Sequence, residues 1–319
     1  MKNEKATGGI ISSSNKKSKF FKTLIGISRH WQLYILLLFP VIWTFLFRYY
    51  PMYGVQIAFR DFNPGLGILQ SKWVGLKYFK MFLTSPQFKQ LLINTFAISI
   101  YSILASAPIP IILAVALNEC KIRPFAKTVQ IVTYAPYFIS TVILVAMVNQ
   151  VLSPIGLLNN VIKLFGGEAV NLLAKPKLFR SIYVWSGIWQ SAGYSSVIYL
   201  AALSGINKEL YEAARIDGAS TLQKIMYIDL PGIMPTFIIL LILNSASVLN
   251  VGYEKIYLMQ NPLNLSVSEV ISTYVYKIGL TSAQYSYSSA IGLFNSVVSM
   301  VMMTLVNFIA KKTSETSLW

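Results

Sequence analysis

The chain has 319 residues, of which 55% are hydrophobic and only 12% are charged, and its mean hydropathy is +0.58. This composition is far more apolar than that of an ordinary soluble domain, and it indicates a protein of the lipid bilayer. The single cysteine, Cys120, excludes an internal disulfide, and the single histidine, His30, excludes a His-cluster metal site and a His-based catalytic triad. Hydrolytic chemistry, redox chemistry and a bound metal are therefore not expected.

The net charge of +16 has two readings, a nucleic-acid partner or topogenic charge. The cations concentrate in the first 30 residues and in loops between long uncharged runs, which favours topogenic charge over nucleic-acid binding. No small-residue cleavage site follows the first apolar run, so we expect an uncleaved first helix. Residues 1–30 are predicted to form a basic, partly disordered tail in the cytoplasm.

Six segments have the length and apolarity of membrane-spanning helices. They are about 31–50, 91–117, 126–152, 181–203, 233–251 and 290–310. The fold class is thus an all-α membrane protein in which residues 31–319 form one transmembrane domain of the cytoplasmic membrane. An even number of spans places both termini in the cytoplasm. Prolines within several spans predict kinked helices packed around a cavity.

The loop between the fourth and fifth spans, residues 204–232, is the only acid-rich stretch of the chain. Asn207 is predicted to cap a first short helix that Gly218 ends in a left-handed conformation. Ser220 and Gln223 are predicted to form a capping box for a second helix, which Pro231 is expected to end. The result is a helix–turn–helix knob exposed to the cytoplasm.

The knob has the side chains of a docking surface. Ala213, Ala214 and Ala219 allow close approach, while Glu212 and Asp217 offer carboxylates to a basic partner. The alternative is an amphipathic helix lying on lipid headgroups, but such helices favour Lys, Arg and large apolar residues. The chain contains no GxxxxGK[ST] phosphate loop, so we expect any nucleotide to be hydrolysed by another chain.

The loop resembles the EAA loop of binding-protein-dependent ABC importer permeases. The matching residues are Glu212, Ala213, Ala214, Asp217, Gly218, Ala219, Ile228, Leu230, Pro231 and Pro235. The resemblance implies a type I importer fold with cytoplasmic coupling helices, where Glu212–Ala214, Asp217–Ala219, Leu230 and Pro231 contact or shape the ATPase interface. It also implies a homologous second permease, two ATPase subunits that hold ATP and magnesium, and an external solute-binding protein.

Further stretches are similar to the carbohydrate-uptake class of these permeases, in particular its polysaccharide and complex-oligosaccharide branch, which includes alginate and pectin-oligosaccharide importers. They are Trp73–Phe79, Asn94–Phe96, Tyr199–Leu203 and the tail from Asn261 to Trp319. This resemblance implies import of a saccharide, with acidic ones such as alginate or pectin fragments among the candidates.

Aromatic and amide side chains within the spans are candidates to line a sugar path, because sugars bind to aromatic faces and to hydrogen-bonding groups. The candidates are Tyr137, Asn149, Gln150, Trp185, Trp189, Gln190, Tyr194, Asn244, Ser247, Asn250 and Tyr253. For each of them, interhelical packing or anchoring at the membrane surface is the alternative role.

Three other functions are compatible with parts of this pattern. A self-contained secondary transporter would need intramembrane carboxylates, whereas the glutamates lie mostly in or near loops. A permease for peptides or amino acids would have the same architecture. A structural membrane scaffold would not need the Glu212–Gly218 motif.

Overall fold

The structure, a computed structural model, describes residues 30–245, 249 and 251–314. The chain divides into two compact units, Met1–Gln56 and Ile57–Trp319. The predicted cytoplasmic tail, apart from His30, lies outside the described residues, and so do the path candidates Ser247 and Asn250.

The described residues of the first unit form one apolar helical stretch. Helix α1 (Trp31–Thr44) contains Pro40 and passes into a π turn, Phe45–Tyr49, and then into a 3-10 helix, Tyr50–Phe59, which runs on into the second unit. A π turn is a common site for such a change of helical geometry. The whole stretch from Trp31 to Phe59 is long and apolar enough to cross a membrane.

The second unit opens with a small hairpin. Strands β1 (Arg60–Asp61) and β2 (Lys72–Trp73) pair antiparallel across a short helix, α2 (Gly67–Gln70). The Arg60 guanidinium fixes the turn, because its Nη1 donates to the carbonyls of Leu69 at 3.0 Å and Ser71 at 2.9 Å.

Helices form the rest of the second unit. In chain order they are α3 (Lys77–Leu83), α4 (Phe88–Ser106), α5 (Pro108–Glu119), α6 (Arg123–Tyr134), α7 (Thr141–Leu152), α8 (Leu157–Leu164), α9 (Pro176–Ser204), α10 (Lys208–Ile216), α11 (Thr221–Lys224), α12 (Leu230–Ser245), α13 (Tyr253–Met259), α14 (Leu265–Ser268), α15 (Ile271–Tyr276) and α16 (Tyr285–Ser314).

Helix α9 is the centre of the second unit and packs against α4, α5, α6 and α12. Its buried side chains recur every three or four residues from Val184 onward and so form one stripe, which consists of Val184, Ile188, Ala192, Ser196, Tyr199 and Leu203. Gly193 lies against the carbonyl of Thr133 on α6, where a Cβ atom would come within 2.0 Å of the oxygen. The two helices can cross at this distance only because residue 193 has no side chain.

Five helical stretches of the described chain are long and apolar enough to span a membrane. They are Trp31–Phe59, Phe88–Glu119, Thr141–Leu164, Thr221–Ser245 and Tyr285–Lys312. The predicted span 181–203 lies within α9, a helix of 29 residues that is not among the five. Its many serine, glycine and aromatic residues, which lower the hydropathy, explain the difference.

The prediction of one helix over 126–152 is wrong. Helix α6 ends at Tyr134, a 3-10 turn covers Ala135–Phe138, and α7 begins only at Thr141. Pro136 removes a backbone donor at the break. Ser140 then starts a new helix, since its side chain accepts a hydrogen bond from the Ile143 N–H at 3.4 Å.

Candidate coupling surface and translocation path

Helix α10 is capped at both ends by its own sequence. Asn207 accepts a hydrogen bond from the Glu209 N–H at 3.0 Å, as predicted for an N-cap. Gly218 has a φ of 71°, and the predicted left-handed stop is therefore confirmed. The Ala219 N–H bonds to the Ala214 carbonyl at 2.8 Å and the Gly218 N–H to the Arg215 carbonyl at 3.2 Å, which is a complete Schellman motif.

Helix α11 begins with the predicted capping box. The Ser220 side chain accepts from the Gln223 N–H, and the Gln223 side chain accepts from the Ser220 N–H at 2.7 Å. The predicted end at Pro231 is wrong, because a π turn over Ile225–Asp229 joins α11 to α12 without a break. Pro231 therefore lies inside one continuous helical stretch, Thr221–Ser245, just after the π turn. The second helix of the predicted knob is thus continuous with the predicted fifth span.

Most of the motif residues are exposed. Five of them lie on the surface, namely Glu212, Ala213, Asp217, Gly218 and Pro231. The carboxylate of Glu212 forms no hydrogen bond or ion pair with the described part of the chain. Ala214 and Ala219 are half-buried. Leu230 packs inward in a cluster with Leu203 and Ile233, so its contact is with this chain's own core.

Large apolar side chains surround these polar residues. Ile216 is 87% exposed and Tyr227 is 79% exposed, and Leu222 and Met226 are exposed beside them. Apolar side chains so exposed on a segment rich in charge are typical of a surface that another protein covers.

Side-chain contacts tie the candidate coupling segment, residues 204–232, to the bundle. The Tyr211 hydroxyl on α10 donates to the carboxylate of Asp229 at the end of the π turn at 2.5 Å. Lys224 forms an ion pair with Glu119 at the end of α5, at 3.5 Å. Burial raises the pKa of Tyr211, and the hydrogen bond and negative charge of Asp229 raise it further. The tyrosine is therefore a proton donor at neutral pH.

A cavity of about 450 Å³ lies between α4, α9 and α12. Its polar wall is made mainly of hydroxyl groups, from Ser99, Ser102 and Ser106 on α4 and from Ser191 and Ser195 on α9. This volume is within the range of small-molecule sites, and hydroxyls with aromatic neighbours suit a polyhydroxylated ligand. Asn244, a predicted path residue, also borders the cavity.

The structure brings some predicted path residues together at the break in the third predicted span. Tyr137 stacks on Tyr194 of α9 with ring centroids 4.0 Å apart and planes at 9°. Gln190 donates to the carbonyl of Ile139 at 2.8 Å. One aromatic platform and one amide thus lie on the same side of α9.

Other predicted path residues lie apart from this group. Trp185 is half-exposed and donates to the Tyr101 hydroxyl at 3.1 Å, and Trp189 is also half-exposed. Asn149 and Gln150 are exposed on α7. Tyr253 stacks on Tyr276 at 5.4 Å, beside a separate groove.

The serines of α4 were missing from the prediction, although the sequence carries their signal. Ser99, Ser102 and Ser106 recur at i, i+3 and i+7 within an otherwise apolar helix, and they therefore share one face. Hydroxyl groups at membrane depth face a bundle interior or a cavity more often than lipid.

Comparison with known proteins places this arrangement in a family. Residues 106–315 match the family described as "Binding-protein-dependent transport system inner membrane component". The chain is 42% identical over 305 residues to the polygalacturonan/rhamnogalacturonan transport system permease protein YteP of Bacillus subtilis (strain 168), and the match covers 95% of each chain. It is 40% identical over 297 residues to protein LplB of the same bacterium, covering 93% of each.

The fold has solved counterparts. A crystal structure of a bacterial ABC transporter involved in the import of the acidic polysaccharide alginate contains a chain with 39% identity and a TM-score of 0.84, and the match covers 92% of this chain and 99% of that one. A crystal structure of a bacterial alginate ABC transporter in complex with an alginate pentasaccharide-bound periplasmic protein matches with the same TM-score of 0.84. The chain therefore belongs to the binding-protein-dependent transport system inner membrane components and has the fold of a type I ABC importer permease.

Proposed function

We propose that this chain is the permease subunit of an ABC importer that carries an acidic oligo- or polysaccharide across the cytoplasmic membrane. The observation that supports this most strongly is the 42% identity, over 95% of the chain, with a permease named for polygalacturonan and rhamnogalacturonan transport. The similarity to a chain of an alginate importer points to the same class, since alginate and polygalacturonan are both polymers of uronic acids.

The proposed assembly contains four further chains. A homologous second permease completes the path, two ATPase subunits bind ATP and magnesium and hydrolyse the nucleotide, and an external binding protein delivers the saccharide. This chain has no hydrolytic role in that scheme. Both of its termini, and the coupling segment 204–232, lie in the cytoplasm.

The geometry of the coupling segment suits the transmission of force. The Schellman turn and the N-cap make α10 a rigid unit, and the Tyr211–Asp229 hydrogen bond ties it to the base of α12. Because α11 continues through the π turn into α12, a displacement of the docked segment moves a wall of the hydroxyl-lined cavity. Closure of the ATPases would in this way open the path on the opposite side.

The substrate class is tested by reconstituting the complete transporter in proteoliposomes with its binding protein. Trigalacturonate, maltotriose and a tripeptide of alanine are the probes, and both uptake and ATP hydrolysis are measured. We expect the acidic trisaccharide to stimulate both activities well above the other two probes. Preferential uptake of the tripeptide, or uptake of trigalacturonate without ATP, would overturn the proposal.

The docking role is tested by reversing the charge of one exposed carboxylate. Glu212→Lys should reduce co-purification of the ATPase and transport at least about tenfold, because a carboxylate that meets a basic partner becomes a like charge. Glu168→Lys is the matched control, since Glu168 is also an exposed glutamate but lies in the loop before α9. If both variants retain the ATPase and full transport, the docking role is wrong.

A further inference from the structure

Lys255 is a buried ammonium group next to the hydroxyl-lined cavity. Its side chain on α13 is 9% exposed, and its Nζ donates to the carbonyl of Tyr183 on α9 at 2.9 Å. The same Nζ lies over the Tyr183 ring, 4.8 Å from the ring centroid. An ammonium group has three donor hydrogens, so this bond leaves two of them available.

No carboxylate in the described part of the chain neutralises Lys255. The ion pairs there are Lys224–Glu119 and Lys277–Glu269, and neither includes it. Its sequence neighbour Glu254 is exposed and takes part in neither pair. Burial of a charge without a counter-ion is unfavourable, and replacement of the residue by a neutral one would remove that cost. A cation retained in such a place is a candidate functional group.

The surroundings of Lys255 form a cavity rather than a packed core. A space of about 310 Å³ is lined by Lys255, Gln190 and the serines at 102, 106 and 191. The Ser102 hydroxyl is buried and has no hydrogen-bond partner among the described residues. Gly187 makes room for the ammonium group, because a Cβ atom there would lie 3.1 Å from Nζ.

We infer that Lys255 is the charge-selecting residue of the path, where it binds the carboxylate of a uronate unit as the saccharide passes. Gln190 and the serine hydroxyls of the same cavity bind the sugar hydroxyls. The ligand supplies the negative charge that the described protein does not. This inference rests on the proposed saccharide transport and deepens it, since it assigns the preference for acidic saccharides to one side chain of this subunit.

The substitution Lys255→Met separates this role from a structural one. Methionine has nearly the same length and removes the charge. The Tyr183 carbonyl lies within α9 and keeps its intrahelical hydrogen bond, so the variant leaves no buried acceptor unpaired. We therefore expect a melting temperature of the purified transporter equal to or above that of the wild type.

The experiment uses the complete transporter in proteoliposomes with saturating binding protein and two probes, trigalacturonate and its trimethyl ester. The ester has the same sugar skeleton without the charges. The quantity of interest is the ratio of mutant to wild-type uptake for each probe, because any preference of the binding protein cancels in that ratio. Lys255→Met should lower uptake of trigalacturonate about tenfold or more and change uptake of the ester less than about threefold.

Lys72→Met is the control for long-range electrostatics, since Lys72 is an exposed cation on β2, and it should leave both ratios unchanged. If Lys255→Met lowers the uptake of both probes equally, or lowers the uptake of neither, the proposed role of Lys255 is wrong. If that variant does not assemble, Lys255→Gln replaces it with the same expected ratios. If the wild type transports neither probe, the proposed function itself is wrong.

Discussion

Asp229 is a carboxylate placed where water cannot reach it. The residue is fully buried at the end of the π turn, its Oδ1 accepts from Tyr211, and its Oδ2 has no partner among the described residues. A buried acceptor without a donor is unfavourable. The hydrogen bond from Tyr211 therefore offsets most of the cost of burying the Asp229 carboxylate.

We predict that Tyr211→Phe destabilises the coupling segment by about 1–3 kcal/mol, because it leaves both carboxylate oxygens without a donor. The measurement is hydrogen exchange of the amides of α10 in the detergent-purified transporter, where faster exchange is expected. Asp229→Asn is the matched control, since an amide oxygen still accepts the tyrosine proton and the charge is gone. Equal exchange in Tyr211→Phe and the wild type would contradict this role.

The same bond predicts a pH dependence. The pKa of Tyr211 is raised above its usual value of about 10, so the fold favours the protonated phenol. The stabilisation it provides is therefore complete below about pH 10 and is lost as the pH rises through the raised pKa. The difference in melting temperature between wild type and Tyr211→Phe should be constant from pH 7 to 9 and shrink above pH 10. A difference that already disappears by pH 9 would exclude this explanation.

Asn159 holds the turn between α7 and α8 to the segment that precedes α9. Its side chain is fully buried, donates to the carbonyls of Ser153 at 2.7 Å and Val170 at 2.8 Å, and accepts from the Val170 N–H at 3.0 Å. We predict that Asn159→Ala costs at least about 3 kcal/mol, because three backbone groups lose their partner at once. Asn160→Ala is the control, since Asn160 is exposed. The melting temperatures of the two variants test this prediction.

The crossing of α9 and α6 depends on one glycine. We predict that Gly193→Ala costs more than about 2 kcal/mol, because its Cβ atom would overlap the Thr133 carbonyl and force the helices apart. Gly292→Ala in α16 is the same substitution in a helix where nothing lies within 4 Å of the new atom, and it should be neutral or stabilising by up to about 1 kcal/mol. Equal melting temperatures for the two variants would contradict the close approach.

The parts of the coupling segment that depend on local sequence were predictable. Caps are formed by residues within a few positions of each other, so Asn207, Gly218 and the Ser220–Gln223 box could be assigned from the sequence alone. The continuation through Pro231 was not predictable in this way. It depends on a π turn whose hydrogen bonds no single residue signals, and on the packing of Leu230 against Leu203.

The arrangement of the candidate path residues was harder to predict, because they come together only through tertiary contacts. Aromatic type and membrane depth selected Tyr137 and Tyr194 as candidates, but their stacking requires the break after Tyr134, which the hydropathy of the sequence does not reveal. The prediction considered only aromatic and amide groups in most spans, and it therefore omitted the row of serine hydroxyls on α4. Hydroxyl periodicity in an apolar span was a usable signal for that stripe.

The distribution of charge over the entire chain predicts its orientation in the bilayer. Cys120 is the only cysteine, and it lies at the end of α5 beside Lys121 and Arg123, on the proposed cytoplasmic side. We predict that a membrane-impermeant maleimide labels it in inverted vesicles and not in intact cells.

The control for this labelling is Gln70→Cys in a Cys120→Ser background. Gln70 is exposed at the end of α2, between the first and second predicted spans, and this segment faces outward if the amino terminus is cytoplasmic. This variant should be labelled in intact cells. Labelling of Cys120 from outside, with the control labelled from inside, would reverse the proposed topology.

Under the proposed function, the length of two helices separates saccharide recognition from the supply of energy. Helix α9 runs from the cavity walls to the start of the coupling segment, and α12 returns from that segment to the same cavity. Substitutions at the cavity should therefore alter the preference for a saccharide, and substitutions at α10 should alter the stimulation of ATP hydrolysis.

The π turn at Ile225–Asp229 has a consequence for the evolution of these proteins. Such a turn is geometrically an α-helix with one residue inserted, so a relative that lacks one residue here would have a regular helix at this point. Because the turn accommodates its extra residue locally, the helical segments on either side of it would keep their relative orientation after such a deletion. A gap of one residue within Ile225–Asp229 should therefore be tolerated among relatives, whereas a gap elsewhere in Thr221–Ser245 would rotate the residues before it by about 100° and shift them by about 1.5 Å along the helix axis. A relative with a gap of the second kind should also have changed the surface that is proposed to meet the ATPase.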